Sequence, residues 1–292
     1  MIKLLFTLSM FITPIVYTQQ KPITIITHVY NQPSFIRLHK KTFDAFIKEE
    51  YRYIVFNDAS NSDMSGLIQQ TCAELNVECI RVPNHAPNRQ SPGHRHMDGI
   101  KFSLEQVGFE HDGIVMIIDS DMFPIRPISL YDYMGNRDFI GGYQERHNDR
   151  IKIEYTSPCL VIMKMGKLPN KYTLNFDGDY VEGVGCDVGG HSYYYFRDNP
   201  TVNVYMYNAV SKDFLPMNKK ALIALGYDLN SIDLLLHIKR EYGFEFHGDT
   251  HFIHFYAGGS NWPGYSPRFI EEKKVILNNF VDKQIAYYAD KK

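Results

Sequence analysis

The sequence lacks a surplus of either charge. With 31 basic against 33 acidic residues its net charge is −2 and its pI is near 6.6, which argues against a nucleic-acid or acidic-membrane binder held by bulk charge. Cysteine is scarce too. Cys72, Cys79, Cys159 and Cys186 show no Cys-x-x-Cys spacing, which disfavours a zinc site, and four cysteines are too few to define a disulfide scaffold. Buried thiols are the expectation, with one or two disulfides open if the chain is exported. No Gly-x-Gly-x-x-Gly follows the first predicted strand, so the nicotinamide and flavin fingerprint is missing. The Walker phosphate loop is missing as well, which weakens the kinase and NTPase readings. Tryptophan occurs once, beside 21 tyrosines and 19 phenylalanines, most of which are expected in packing.

What is present suits a globular α/β protein. The 292 residues are 44% hydrophobic and 22% charged, enough apolar content for a proper core. Residues 1–20 stand apart. Leu4 to Gln19 carry no charge and follow Lys3, the pattern of a secretory signal, and the run is short for a membrane-spanning helix. As a signal it would send the chain to a secretory lumen or out of the cell; as an extra packed element it would leave the chain cytoplasmic. Residues 21–292 show no flexible linker and are expected to form a single domain.

Along that body, strands and helices alternate. Pro22 to Tyr30 reads as a first strand, and a helix capped by Ser34 runs to about Glu49. A second strand spans Tyr53 to Asp58, a helix about Ser62 to Leu75, and a third strand Glu78 to Val82. This β-α-β-α-β spacing predicts a Rossmann-like, mostly parallel sheet flanked by helices. A further helix is expected over about His96 to Val107, strands over Asp138 to Tyr143 and Ser157 to Met163, and short helices within Met217 to Arg240. A closing helix is expected over Pro267 to about Ala289.

The chemistry concentrates after an unbroken apolar run. Gly113-Ile114-Val115-Met116-Ile117-Ile118 ends in Asp119-Ser120-Asp121, so a strand buried on both faces delivers two carboxylates to its carboxyl end, where open α/β sheets place their ligands. At i and i+2 on an extended segment the two acids point the same way and suit Mg2+ or Mn2+. Thr27, His28, Asn31 and Asp58 close the first two strands on the same edge and are candidates to hold a nucleoside. Arg89, His94, Arg95 and His96 lie in a polar loop ahead of a helix, as phosphate contacts would. Glu145, Glu182 and Asp187 are acids available as a catalytic base, the last two in a stretch dense in glycine.

A buried strand ending in Asp-Ser-Asp resembles the Asp-x-Asp motif of GT-A fold glycosyltransferases, in which the motif binds the metal and the donor sugar nucleotide. Near the other end, His254-Phe255-Tyr256-Ala257-Gly258-Gly259-Ser260-Asn261-Trp262 resembles the His-x-x-Gly-x-x-Lys-Pro-Trp segment of glycogenin-like retaining enzymes. The glycine falls one place late, and Ser260 stands where the lysine would.

The resemblance implies a GT-A type α/β fold and an enzyme of the hexosyl-transferring class (EC 2.4). It implies Mn2+ or Mg2+ on Asp119, Asp121 and His254, and a nucleotide-sugar donor, UDP-linked first, passing its sugar to a glycan, protein or lipid-linked acceptor. Donor contacts would come from Thr27, His28, Asn31, Asp58, Arg95, Ser120, Gly258, Gly259, Ser260 and Trp262. Asp187 would open an acceptor-side helix. Two other functions remain open at this point: a sugar-nucleotide nucleotidyltransferase, which usually carries a glycine-rich loop and lysine where this chain has His28 to Ser34, and a non-catalytic carbohydrate-binding or effector protein of the same fold.

Overall fold

The computed structural model describes residues 21–83, 91–211, 215–224, 227, 233, 243–255 and 266–291. Strand β1 (Ile23–Val29) is followed by α1 (Pro33–Phe46), β2 (Tyr51–Asn57), α2 (Ser62–Glu74) and β3 (Glu78–Arg81). Two of the expected helix starts differ in their chemistry. Helix α1 begins at Pro33, whose fixed φ suits a first helical position, and Ser34 lies inside it rather than capping it. Asn61 caps α2 by accepting from Met64 N at 2.9 Å.

Next come α3 (Pro92–Ser103), with a wider π-type turn over Leu104–Gly108, and β4 (Ile114–Ile118), then β5 (Met122–Pro124) and the short α4 (Leu130–Met134). The chain continues through β6 (Phe139–His147), β7 (Lys152–Lys164), β8 (Asp179–Val181), β9 (Val184–Cys186), α5 (Ser192–Asp198), β10 (Val204–Tyr207) and β11 (Val210–Ser211). Helix α6 (Leu215–Ala224), strands β12 (Glu245–His247) and β13 (Phe252–His254), and α7 (Pro267–Ala289) follow.

The main sheet has seven strands in the order β10-β6-β7-β4-β1-β2-β3. Only β7 runs against the rest, antiparallel to both β4 and β6. Every residue of β4 is buried, so the strand that leads to the acids is sealed on both faces. Fully burying an isoleucine, valine or methionine contributes about 1.5–3 kcal/mol each, which makes this central strand a firm platform. Helices α1 and α2 contribute to the core on one face, with Ile36, Phe43, Ile68 and Cys72 against Ile25, Val55 and Met116. The other face buries Ile100 of α3 and Tyr195 of α5 with Ile26, Val115 and Ile117.

A second, four-stranded sheet, in the order β11-β12-β13-β5, is antiparallel throughout. Alternation along its strands separates two faces. Phe123, Phe246 and Ile253 pack with Phe35 and Leu38 of α1 and with Leu277, Phe280 and Val281 of α7. Met122 and Phe252 lie on the opposite face and join the main core, and His254, two residues from Phe252, shares that face. No helix among the described residues is long and apolar enough to cross a membrane. All four cysteines are free thiols.

Candidate active site

The two sheets meet where β4 ends. Asp119 N donates to Cys159 O of β7 at 2.8 Å, and Met122 N donates back to Asp119 O at 3.1 Å, so the three residues between β4 and β5 form a tight turn with a carboxylate at each side. Strand β5 then pairs with β13 so that Met122 lies opposite His254. Phe255 N donates to Asp121 O at 2.8 Å, continuing that ladder by one step. The register therefore brings a histidine beside the acids across 133 residues of chain, and a slip of one residue would turn it to the other face. Two side chains fasten the arrangement. His39 of α1 lies between Tyr53 Oη and Met122 O, each 2.8 Å from a ring nitrogen, and Lys273 of α7 donates to Phe255 O.

Asp119, Asp121 and His254 offer one ligand atom each, all within 4.8 Å of one another. His254 Nε2 is 3.2 Å from Asp121 Oδ1. Burial works against a charged ring at His254, yet Asp121, Glu245 and Asp119 together lift its pKa to about 10. Burial likewise works to raise Asp119, and His96 outweighs it, holding the acid at about 2. The pocket is thus a well of negative potential, which a divalent cation would fill.

Helix α3 crosses the same face of the sheet. Its Gly99 comes so near β1 that a Cβ there would lie 3.1 Å from the His28 ring. One turn earlier His96 reaches Asp119, Nε2 to Oδ1 3.2 Å. Burial opposes charge on His96 as well, but Asp119 prevails and holds the ring above its ordinary range. His28 differs: burial, seconded by His96, drives it down to about 3, and its Nε2 pairs with Ser103 Oγ at 3.0 Å. His96 belongs beside the acids; the sequence offered it as a phosphate contact, with His94-x-His96 as an alternative metal pair.

The remaining candidates occupy the same edge in different ways. Thr27 is fully buried and its hydroxyl makes no hydrogen bond. Asn31, at φ 54°, binds Ser60 through both amide atoms, Nδ2 to Oγ at 2.8 Å and Oδ1 from N at 3.0 Å, and so ties the loop after β1 to the loop after β2. Asp58 is buried and acts electrostatically on His96. The Arg95 guanidinium lies over the Tyr30 ring at 3.6 Å while its Nε makes no hydrogen bond. Ser120 sits half-buried between the two acids. Gly258, Gly259, Ser260 and Trp262 lie outside the described residues, as do His254's immediate followers from Tyr256 on, and Arg89.

The three candidate bases are unlike one another. Glu145 stands exposed towards the outer end of the β6–β7 ribbon, with Lys152 Nζ at 3.1 Å. Glu182 occupies the β8–β9 turn at φ 50° and pairs with Arg197 at 3.2 Å. Asp187 is exposed, accepts from Val188 N at 2.7 Å and is anchored through its own N–H to Tyr155 Oη at 3.2 Å. Its loop leans on the start of α3: Val188 touches the Gly93 position, and Gly178 N donates to Met97 Sδ. Asp187 therefore lies next to the helix that carries Arg95 and His96.

Sequence reasoning missed Glu245 and His247. They alternate along β12 on the face that carries His254, with Glu245 directly opposite it, and together with His254 they form a second cluster of ligand atoms within 4.8 Å. A Glu-x-His pair ahead of a strand ending in His was the available signal, and it becomes legible only once the register of β12 on β13 is known.

A mostly parallel sheet, an Asp-x-Asp turn at the end of its central strand, a strand returning antiparallel beside it and a histidine brought back from the carboxyl-terminal region are now all in place. The fold is of the GT-A type. No protein-family model and no curated protein matches the sequence. Among solved structures, the chain is similar to a mannosyltransferase from Pyrobaculum calidifontis in complex with GDP-Man and Mn2+, at 14% identity over 65% of this chain and 56% of that one, with a TM-score of 0.39. It is also similar to glucosyl-3-phosphoglycerate synthase from Mycobacterium tuberculosis in complex with Mn2+ and UDP, at 15% identity over 41% of this chain and 43% of that one, with a TM-score of 0.29. The chain thus spans about half the length of these two. The architecture rests on the strand order and register.

Proposed function

We propose that this protein is a metal-dependent glycosyltransferase that moves a sugar from a nucleotide-diphosphate donor, a UDP-sugar first, to an acceptor hydroxyl. The observation that carries the proposal is the convergence of Asp119, Asp121 and His254 within 4.8 Å at the end of the central strand. The donor set fits the cation: two hard carboxylate oxygens and one imidazole suit Mn2+, with Mg2+ as the harder alternative. When bound, the ion supplies Lewis-acid stabilisation of the departing diphosphate.

The chain's own residues do the rest. Asp119 and Asp121 hold the cation with His254, and Ser120 lies between them. Arg95, whose Nε is without a partner, and the amino-terminal amides of α3 offer cationic and dipolar contacts to phosphate oxygens. His28, Asn31 and Asp58, at the ends of β1 and β2, would face the nucleoside, with the fully buried Thr27 beneath them; Gly258, Gly259, Ser260 and Trp262 stay donor-side candidates on the sequence alone. Asp187 is the preferred acceptor-side carboxylate, because Glu182 and Glu145 are drawn into ion pairs with Arg197 and Lys152. At Glu145, Tyr143 and Lys152 hold the carboxyl below its ordinary range, which leaves it less proton affinity to use.

The test is release of nucleoside diphosphate from a panel of UDP- and GDP-sugars, with Mn2+ and with EDTA. The expected result is Mn2+-dependent release from one donor, stopped by EDTA and reduced about 10²- to 10³-fold in Asp121→Ala and His254→Ala. Release of pyrophosphate from a nucleoside triphosphate would make the protein a nucleotidyltransferase instead. Binding of a sugar without turnover of any donor would make it a carbohydrate-binding protein.

A further inference from the structure

The hairpin that delivers His254 brings another carboxylate with it. Glu245 lies directly across β12–β13 from His254, and directly opposed residues project to one face. The imidazole is therefore placed between two acids. Its Nε2 is 3.2 Å from Asp121 Oδ1 and its Nδ1 is 3.8 Å from Glu245 Oε2. On the far side of that same Oε2, His247 Nε2 approaches to 3.5 Å. His247 is only 4% exposed and His254 9%, and the two rings stand edge to face at 5.3 Å.

We infer that Glu245 is a positioning residue for His254, holding the imidazole with its proton on Nδ1 and its lone pair on Nε2, turned to the cation site, and that His247 buttresses Glu245 from behind. This rests on the metal-binding reading of Asp119, Asp121 and His254 given above. A neutral imidazole has one lone pair, and which nitrogen carries it is set by what the other faces. A carboxylate facing Nδ1 favours that tautomer by its charge, resists rotation of the ring and makes Nε2 a stronger donor; at 3.8 Å the contact with Glu245 is electrostatic rather than a hydrogen bond. Asp121 cannot do this, since it stands on the ligand side. Glu245 also belongs to a cluster that could hold a cation of its own with His247 and His254. That arrangement needs the Nδ1 lone pair, whereas the acids of the Asp-x-Asp turn face Nε2, so a neutral His254 can serve one cluster or the other. The tight turn at Asp119–Asp121, with two acids against one, favours the first.

The experiment is a Mn2+ titration of the full chain followed by the electron paramagnetic resonance of free Mn2+, on wild type, Glu245→Ala, Glu245→Gln, Glu245→Asp and His254→Ala. Melting temperature is measured alongside. Glu245→Ala is expected to weaken Mn2+ about 10- to 100-fold. Glu245→Gln, which still offers an acceptor oxygen, and Glu245→Asp should recover part of the loss. If Glu245→Ala binds Mn2+ within twofold of wild type while His254→Ala does not, the positioning role is wrong and the metal site stands. If wild type binds no Mn2+, both fall. A second Mn2+ per chain that disappears with Glu245→Ala would make Glu245 a ligand and overturn the inference.

Discussion

Five histidines, His28, His39, His96, His247 and His254, cluster at the junction of the sheets, and their environments divide them. His28 and His39 are held as neutral rings, chiefly by burial, at about 3 and about 4. An unfolded histidine titrates near ~6.5, so below that pH the unfolded chain gains protons that the folded one refuses, and stability falls as the pH drops towards 4. Asp119 and Glu245, both held near 2, add to the loss on the acid side as the pH falls through their folded values. His254 acts in the other direction. Lifted to about 10, it contributes stability that is complete below ~6.5 and is lost as the pH rises through 10. Chelated protein should therefore melt highest at about pH 6–7. Saturating Mn2+ holds His254 unprotonated and should flatten the alkaline limb while leaving the acid limb in place. Thermal melts from pH 4 to 10, with EDTA and with Mn2+, check this; a chelated protein whose melting temperature climbs steadily from pH 6.5 to 9 would contradict it. At this scale Asp119, Asp121 and His254 were legible because two acids ending an apolar run, and a histidine at a fixed distance from the only tryptophan, are patterns in one dimension. Glu245 and His247 were not, because their meaning depends on which strand lies beside them.

Elements were legible in proportion to their length. The alternation through β1, α1, β2, α2 and β3 follows the apolar periodicity to within a few residues, and α7 was read at its full extent. Helix α3 starts four residues ahead of His96, since Pro92-Gly93-His94-Arg95 offers no periodic apolar signal. The small sheet was invisible: β5, β12 and β13 are three residues each, β5 contains a proline, and their partners lie far apart in sequence. The loop of Asp187 is positioned by a glycine instead. Gly189 has φ 101°, and a Cβ there would stand 1.9 Å from Thr156 O of β7. Gly189→Ala should cost about 2–4 kcal/mol and lower transfer more than Mn2+ affinity. Gly183, with φ 78° but nothing within 4 Å, should tolerate alanine at a cost of about 1 kcal/mol. Chemical denaturation of the two variants checks the contrast, and equal stabilities would contradict it.

At the scale of the whole molecule the design is a junction of two sheets. The parallel sheet carries the acids on its most deeply buried strand, the antiparallel sheet returns the carboxyl-terminal region to them, and the backbone hydrogen bond from Phe255 to Asp121 joins the two. The fold class could be read from the order of strands and helices. The joint could not, because it consists of pairings between segments 130 residues apart that leave no local trace. Its consequence is the meeting of Asp119, Asp121 and His254, drawn from the middle and the carboxyl-terminal region of the chain, which we propose as the cation site. The most direct measurement is the anomalous diffraction of a crystal soaked in Mn2+ and UDP. The account predicts one peak at about 2–2.3 Å from a carboxylate oxygen of Asp119 or Asp121 and from His254 Nε2, with the UDP diphosphate on its open side. A peak bounded by other residues, or His254 turned away from it, would contradict the account.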